Sequence, residues 1–490
     1  MHGSKLVSIL KLFDQNELKQ FEKFVKSPFF SSGRDVKGLF SIFKNAYPEF
    51  SSSAILRTNI HSKLFKKEKF NERRVKNLTA SLTRMAESFL VHNKVDLNKT
   101  EYKTKLAEIF FQKGSEKLFL SSLRTDDKDN VCISLTDPDN CYNEYKLLRL
   151  KEKYFISKNR FVEAIPYRVN YTENLLLHQY IACFKRLKDK EIFPIFYNTP
   201  FAGSLFDSVI ENTDFDALLA SLDNRNYALK WLLEIYYCIY KAIQLNKDIQ
   251  SEKYYFRLKE IFFAHLNEFT IGEKCYIFDA MATYCMMRDS INDHFSRECF
   301  EVYKNMLKEN AFKYNPNEYM STTLYGNIIF WAYDLEEYDW LEKFISKYSD
   351  DLRPENKDDL VNLAKAHLYF GKKDFLNSLH SIDKVRNEFL LYKIQVRNLK
   401  FKLYFELNFI EEAYKLIDSF RHFLKENTEI NEIFKERAID FIGIYVKLLN
   451  GKSDTSAIDF ESLRARIDNM QGYELRPWML SKLNELVKKR

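Results

Sequence analysis

Residues 361–420 read VNLAKAHLYF GKKDFLNSLH SIDKVRNEFL LYKIQVRNLK FKLYFELNFI EEAYKLIDSF. Within them, Tyr369, Phe375, Ser378, Ile382 and Val385 return as Tyr404, Ile410, Ala413, Ile417 and Phe420, an offset of 35 residues, and Ala366 is echoed by Phe401. Large and small apolar residues at three- and four-residue spacing, broken once per period by a polar turn, describe a helix–turn–helix unit. Such a unit cannot bury its apolar face alone and must stack on its neighbours. The expected fold is all-α: an α-solenoid of helix pairs preceded by a small helical module.

Composition agrees. Of 490 residues, 46% are hydrophobic and 30% charged, enough for a large core under a soluble surface. Glycine (11) and proline (9) are each about 2% of the chain, against a usual ~7% and ~5%, so a turn-rich β fold is excluded. The 30 tyrosines and 43 phenylalanines are expected to fill the core with rings. Met1–Leu12 has no apolar run ending in a small-residue cleavage site, and no long apolar stretch reads as a membrane span. The seven cysteines (132, 141, 183, 238, 275, 285, 299) form no CxxC and lie mostly in apolar helical runs. They read as buried free thiols, which places the chain in the cytoplasm. Charge is uneven: residues 1–100 hold 19 Lys/Arg against 9 Asp/Glu, a balance of +10, and the rest of the chain is close to neutral at −3.

The basic excess belongs to a module expected over residues 1–95. Its second helix has a strong start signal, with Asp14 as cap, Glu17 three residues on, and Phe13 and Leu18 placed to staple the junction. Pro28 stops that helix, and Phe29 and Phe30 are expected to plug the core. A fourth helix over 54–65 rests on Leu56, Ile60 and Leu64. A fifth, capped by Asn71, buries Val75, Leu78, Leu82, Met85, Ala86, Phe89 and Leu90, and turns Arg73, Lys76, Asn77 and Arg84 outward with Arg74 alongside. A compact basic helical module of this kind is a candidate DNA reader, with Arg73, Arg74, Lys76 and Arg84 on bases or phosphates.

Residues 96–490 read as the array. The polar stretch Thr125–Asn140 is an insertion or the seam between module and array. Helix pairs follow from Tyr142, with Phe155, Phe161 and Ala164 as expected contacts of the first pair and an irregular connection over Ile192–Gly203 around Pro194 and Pro200. Thr270 and Glu273 form a capping box. The clearest repeats span 359–427. A Gly-Lys-Ser-Asp turn at 451–454 precedes capping helices over 456–490, whose polar end suits a terminal repeat.

The Ala366/Tyr369/Phe375/Ser378/Ile382/Val385 set resembles the tetratricopeptide repeat, whose usual period is about 34 residues. It departs from that pattern at Phe401, where a small residue is usual, and in lacking the terminal proline. The chain also resembles a group of bacterial proteins with a basic N-terminal helical module carrying a stretch like LKQFEKFVKSPFF (Leu18–Phe30), a resemblance that implies no activity. By resemblance to tetratricopeptide domains, the first helix of each pair lines a peptide groove, here Leu363, His367 and Phe370, then Asn398, Lys402 and Phe405. Asn398 and Lys402 stand four apart on one helix face, which resembles half of the carboxylate clamp of chaperone-binding tetratricopeptide domains; the other half is missing, since Leu363 and His367 stand in the preceding repeat.

No phosphate-cradling glycine loop, HExxH, paired metal-spaced cysteines or GxSxG occurs, and Gly451-Lys452-Ser453 lacks the upstream glycine of a P-loop. Cys285 and His294 are the one imaginable thiol–imidazole pair, and a buried cysteine beside a surface histidine is the simpler reading. The sequence therefore points to a non-enzymatic scaffold without cofactor, metal or catalytic residue, binding a protein or peptide. The alternatives are a nucleic-acid-associated regulator acting through residues 1–95 and a structural array that associates with itself.

Overall fold

The computed structural model describes residues 3–30, 36–51, 53–66, 68–94, 100–123, 138–196, 203–289, 295–315, 318–386, 390–453, 459–470 and 475–489. Among these the chain is all-α, without a β-strand, and no helix is long and apolar enough to cross a membrane. Two compact units emerge, Met1–Thr125 and Asp126–Arg490. The division falls in the polar stretch expected as a seam. Its residues 125–137 lie outside the described part, and Pro138–Asn140 already open a helix. The first unit also takes in two helices beyond residue 95.

The first unit holds α1 (Lys5–Leu10), α2 (Gln15–Lys26), α3 (Lys37–Lys44), α4 (Arg57–Leu64), α5 (Glu72–Lys94), α6 (Thr100–Gln112) and α7 (Glu116–Ser122). The capping box of α2 is present. Asp14 Oδ1 accepts from the Asn16 and Glu17 amides at 2.7 Å, and Glu17 accepts from the Asp14 amide at 3.0 Å. Ser27 is already extended (ψ 126), as the following Pro28 requires. Helix α5 packs on α1, α2, α3 and α4. Its Val75, Leu78, Leu82, Met85, Ala86 and Phe89 are buried, and Phe21 meets Phe13, Phe40 and Phe89 at ring distances of 5.1–5.4 Å.

Two expectations fail in this unit. Phe29 is 86% exposed, whereas Phe30 stacks on Phe24 at 3.9 Å. Pro28–Phe30 is a 3₁₀ turn, in which neighbouring side chains point about 120° apart, so one ring turns in and the next turns out. Leu56 sits extended at the start of α4 and is exposed, and Ile55 before it takes the buried place.

The second unit begins with α8 (Pro138–Ser157) and α9 (Phe161–Phe196), then α10 (Leu205–Glu211) and α11 (Phe215–Asn224). Next come α12 (Lys230–Gln244), α13 (Ser251–Ala264), α14 (Ile271–Asp289), α15 (Phe295–Lys308), α16 (Thr322–Asp334), α17 (Tyr338–Tyr348), α18 (Pro354–Gly371) and α19 (Phe375–Ile382). It closes with α20 (Leu390–Glu406), α21 (Ile410–Glu426), α22 (Glu432–Ser453), α23 (Phe460–Asp468) and α24 (Arg476–Lys489). Consecutive helices pair: α8 with α9, α12 with α13, α14 with α15, α16 with α17, α18 with α19 and α20 with α21. Neighbouring pairs also touch: the first helices of later pairs meet, α12 to α14, α16 to α18 and α18 to α20, and α9, the second helix of its pair, meets α12.

Helix α9 runs through the expected connection at Ile192–Gly203 as far as Phe196, with Pro166 and Pro194 inside it. Pro194 lies in the last turn, and its carbonyl accepts from Asn431 Nδ2 at 2.8 Å, which brings the end of α9 to the start of α22. Phe161 opens the helix and is exposed, and Ala164 is the buried contact. Gly451–Ser453 form the last turn of α22 instead of a loop, with Lys452 reaching the Phe405 carbonyl. Thr270 caps the Glu273 amide at 3.2 Å, but the Glu273 carboxylate turns to Lys185 (2.7 Å) and Tyr236.

Two apolar cores meet at α20. Leu399 and Leu403 belong to a core reaching back to α8, and Ile394, Phe401 and Phe405 to one reaching on to α24. Gly371 closes α18 against α17, where an added Cβ would lie 2.1 Å from the Tyr338 ring. Gly371→Ala is expected to destabilise the second unit by about 1–3 kcal/mol through overpacking, read by urea unfolding. Asp14→Ala is expected to cost about 1 kcal/mol in the same measurement by removing the α2 cap.

Candidate functional site

The basic face of α5 is exposed along Arg73, Arg74, Lys76, Asn77 and Arg84. Asn71 Oδ1 caps the Arg74 amide at 3.1 Å. Much of this face is answered by the unit's own groups. Arg74 lies 3.9 Å over the Phe65 ring and pairs with Glu68. Glu72 lies between Lys76 (3.2 Å) and Arg57 (2.6 Å), and hydrogen bonding to Lys76 first, with Arg57 nearby, holds its carboxyl below the usual range. Glu22 is treated likewise by Lys26 and Lys44, which bring it down to about 2. Arg73 and Arg84 meet no carboxylate among the described residues. Arg84 Nε bonds only its own helix, at the Ala80 carbonyl (3.4 Å). A phosphate arriving at α5 would find these two guanidiniums uncommitted and would compete with glutamates for Arg74 and Lys76.

The groove candidates are buried without exception: Leu363, His367, Phe370, Asn398, Lys402 and Phe405. Tyr333 of α16 gathers three of them. Its ring lies 5.1 Å from that of His367 and 6.2 Å from that of Phe370, with the Lys402 ammonium 5.4 Å from its centroid. Asn398 is 2% exposed and Lys402 7%, so a ligand would have to part α16, α18 and α20 to reach them. Phe405 is separate, against Trp478 and Tyr445 in the second core. His294 lies outside the described residues. Cys285 is buried, with its thiol 3.3 Å from the Tyr255 hydroxyl. The six described cysteines form no disulfide with one another; burial pushes the Cys238 and Cys275 thiols up to about 12, so neither is a nucleophile near neutral pH.

A polar cluster between α9 and α14 was not foreseen. Lys185 and Lys188 place their ammonium groups 4.7 and 4.6 Å from the Tyr276 ring centroid. Glu273 neutralises Lys185, and Asp189 stands 3.6 Å from Lys188. The Tyr276 hydroxyl is buried without a hydrogen-bond partner, and burial pushes the Asp279 carboxyl up. Each lysine is answered by a carboxylate, and the cluster reads as a packed ion-pair network. Among the described residues no three His, Cys, Asp or Glu side chains converge as a metal ion requires.

A second unforeseen feature lies on α9. Ala164 and Leu177 are buried, Tyr167 and Tyr171 meet Phe155 and Tyr145 of α8, and Arg168 Nε reaches Glu152 at 2.6 Å. Away from α8, Val162, Ile165, Val169 and Leu176 are 79%, 56%, 47% and 55% exposed. Their spacing was visible in the sequence. A helical period alone does not say whether the face it marks is covered.

The His367 imidazole is held down to about 3, first by burial and then by the nearby Lys402 charge. It is therefore neutral in the folded chain, while the unfolded chain takes up a proton near the ordinary 6.5. Its contribution is intact above 6.5 and is lost as the pH falls from there toward 3, by up to about 1.4 kcal/mol per pH unit. His367→Leu is expected to flatten this part of the stability–pH profile, read by urea unfolding between about pH 7 and pH 4.

No family model, curated protein or solved structure matches the chain.

Proposed function

We propose that the second unit is an α-solenoid of tetratricopeptide-like helix pairs, and that the protein is a non-enzymatic adaptor that binds another protein or peptide in a reducing compartment, the cytoplasm. The observation that carries this reading is the open apolar face of α9. Contiguous exposed apolar surface along one helix face marks a place where another macromolecule packs. The contacts between neighbouring helix pairs support the solenoid, and cysteines that are mostly buried and not joined in disulfides support the compartment. The cluster of His367, Phe370, Asn398 and Lys402 contributes by fixing the stack of α16, α18 and α20.

The test is capture from native extract on the immobilised full chain and on V169E, with and without nuclease, read by mass spectrometry. Proteins retained after nuclease and lost with V169E are the expected result. Equal capture by both chains would remove the α9 face from the reading.

A nucleic-acid role for residues 1–95 has one observation in its favour, the exposed and uncommitted Arg73 and Arg84 in a segment of balance +10. In fluorescence anisotropy with duplex DNA, this role predicts affinity that falls steeply with salt. R73E/R84E should then weaken binding more than changes at Arg74 or Lys76. Binding indifferent to both salt and R73E/R84E would end it.

A further inference from the structure

Helix α9 changes neighbours along its length. Its second half, with Leu177, Ile181, Phe184 and Leu187, enters the large core beside α12. Its first half packs on α8 and leaves the opposite side open. The open positions are Val162, Ile165, Val169, Thr172 and Leu176, all exposed, with steps of three, four, three and four residues. That mean spacing of 3.5 is the heptad seam that keeps two helices in contact along one line. Thr172 fits such a seam, because its hydroxyl is already satisfied by the Arg168 carbonyl at 2.9 Å and would not be buried unpaired.

The seam's borders carry opposite charge. Arg168 stands on one side, held through Nε by Glu152, and Glu173 stands exposed on the other. In a parallel pair of helices unlike borders meet, and a residue before the seam position faces the residue five further on in the partner helix. Arg168 then lies against Glu173 of the second copy, and two-fold symmetry makes the contact twice. An antiparallel pair would set like borders together.

We propose that the occupant of this face is a second copy of the chain, packed α9 to α9, parallel and in register about a two-fold axis. This rests on reading the α9 face as a protein-binding surface. The seam covers 15 residues, about 22 Å of helix, so the dimer is reversible rather than obligate.

The full chain, 58.6 kDa as a monomer, is expected to double in mass across the micromolar range in sedimentation velocity. V169E, which sets two carboxylates face to face across the seam, should weaken the dimer by roughly 100-fold while far-UV circular dichroism and melting stay unchanged. Val169 is exposed, so its change leaves the core intact. Orientation is read from V162C and L176C under mild oxidation, with the parent chain as control. Each variant alone should form a disulfide-linked dimer, as the parallel register requires.

A chain monomeric throughout, a V169E chain that still dimerises, or cross-linking only in a mixture of V162C and L176C would each overturn the proposal. If the chain is monomeric but V169E still abolishes capture of another protein, self-association fails and the binding face stands. If V169E changes neither mass nor capture, both fall.

Discussion

Filling a core with tyrosines carries an obligation: each buried hydroxyl needs a partner, since an orphan costs about 1–3 kcal/mol. In the second unit that need ties helices together. Tyr236 of α12 donates to Glu273 of α14, and Tyr255 of α13 to Glu298 of α15 at 2.6 Å. Tyr284 of α14 shares a hydrogen bond with Ser251 of α13, and Tyr392 of α20 donates to the Thr322 carbonyl of α16. Tyr445 of α22 reaches the Phe401 carbonyl of α20 at 2.8 Å. Apolar burial supplies most of the free energy, but it tolerates sliding. These directional contacts set the register of one helix on the next.

The same economy explains the carboxylates. Glu273 and Glu298 each accept a hydrogen bond from a tyrosine and also pair with a lysine, Lys185 and Lys259. A carboxylate with two donors is stable where a bare one is not. Glu273 shows the consequence for reading a sequence. Its position promised a capping box, yet the stronger claim on its carboxylate came from two residues on other helices.

Helix α20 shows how two cores share one element. It is apolar on two sides, toward Leu399 and Leu403 on one and toward Phe401 and Phe405 on the other, and the strip between carries Asn398 and Lys402. A strip of this kind is solvated only if the neighbouring first helices stand apart. Here Tyr333 and Phe370 come close enough to lay their rings beside the lysine ammonium, at 5.4 and 5.9 Å, so the polar strip is roofed by aromatic side chains. On α9 the reverse holds. Among the described residues its first half packs on α8, and an apolar face stays open.

What the sequence determined by itself was local. The α2 capping box, the stop at Pro28 and the buried stripe of α5 follow from interactions within a turn or two, where spacing fixes geometry. The 35-residue echo likewise predicted helix pairs that the structure contains. The tertiary structure alone decided which faces those helices show. It put Phe29 out and Phe30 in, carried α9 past Pro194, buried Asn398 and Lys402, and left Val162, Ile165 and Val169 open. Exposure depends on how near a neighbouring helix comes, and that distance is set by side chains far away in the chain, such as Tyr333 and the Glu273–Tyr236 contact. A helical period records which residues share a face and carries no information about what, if anything, lies against it.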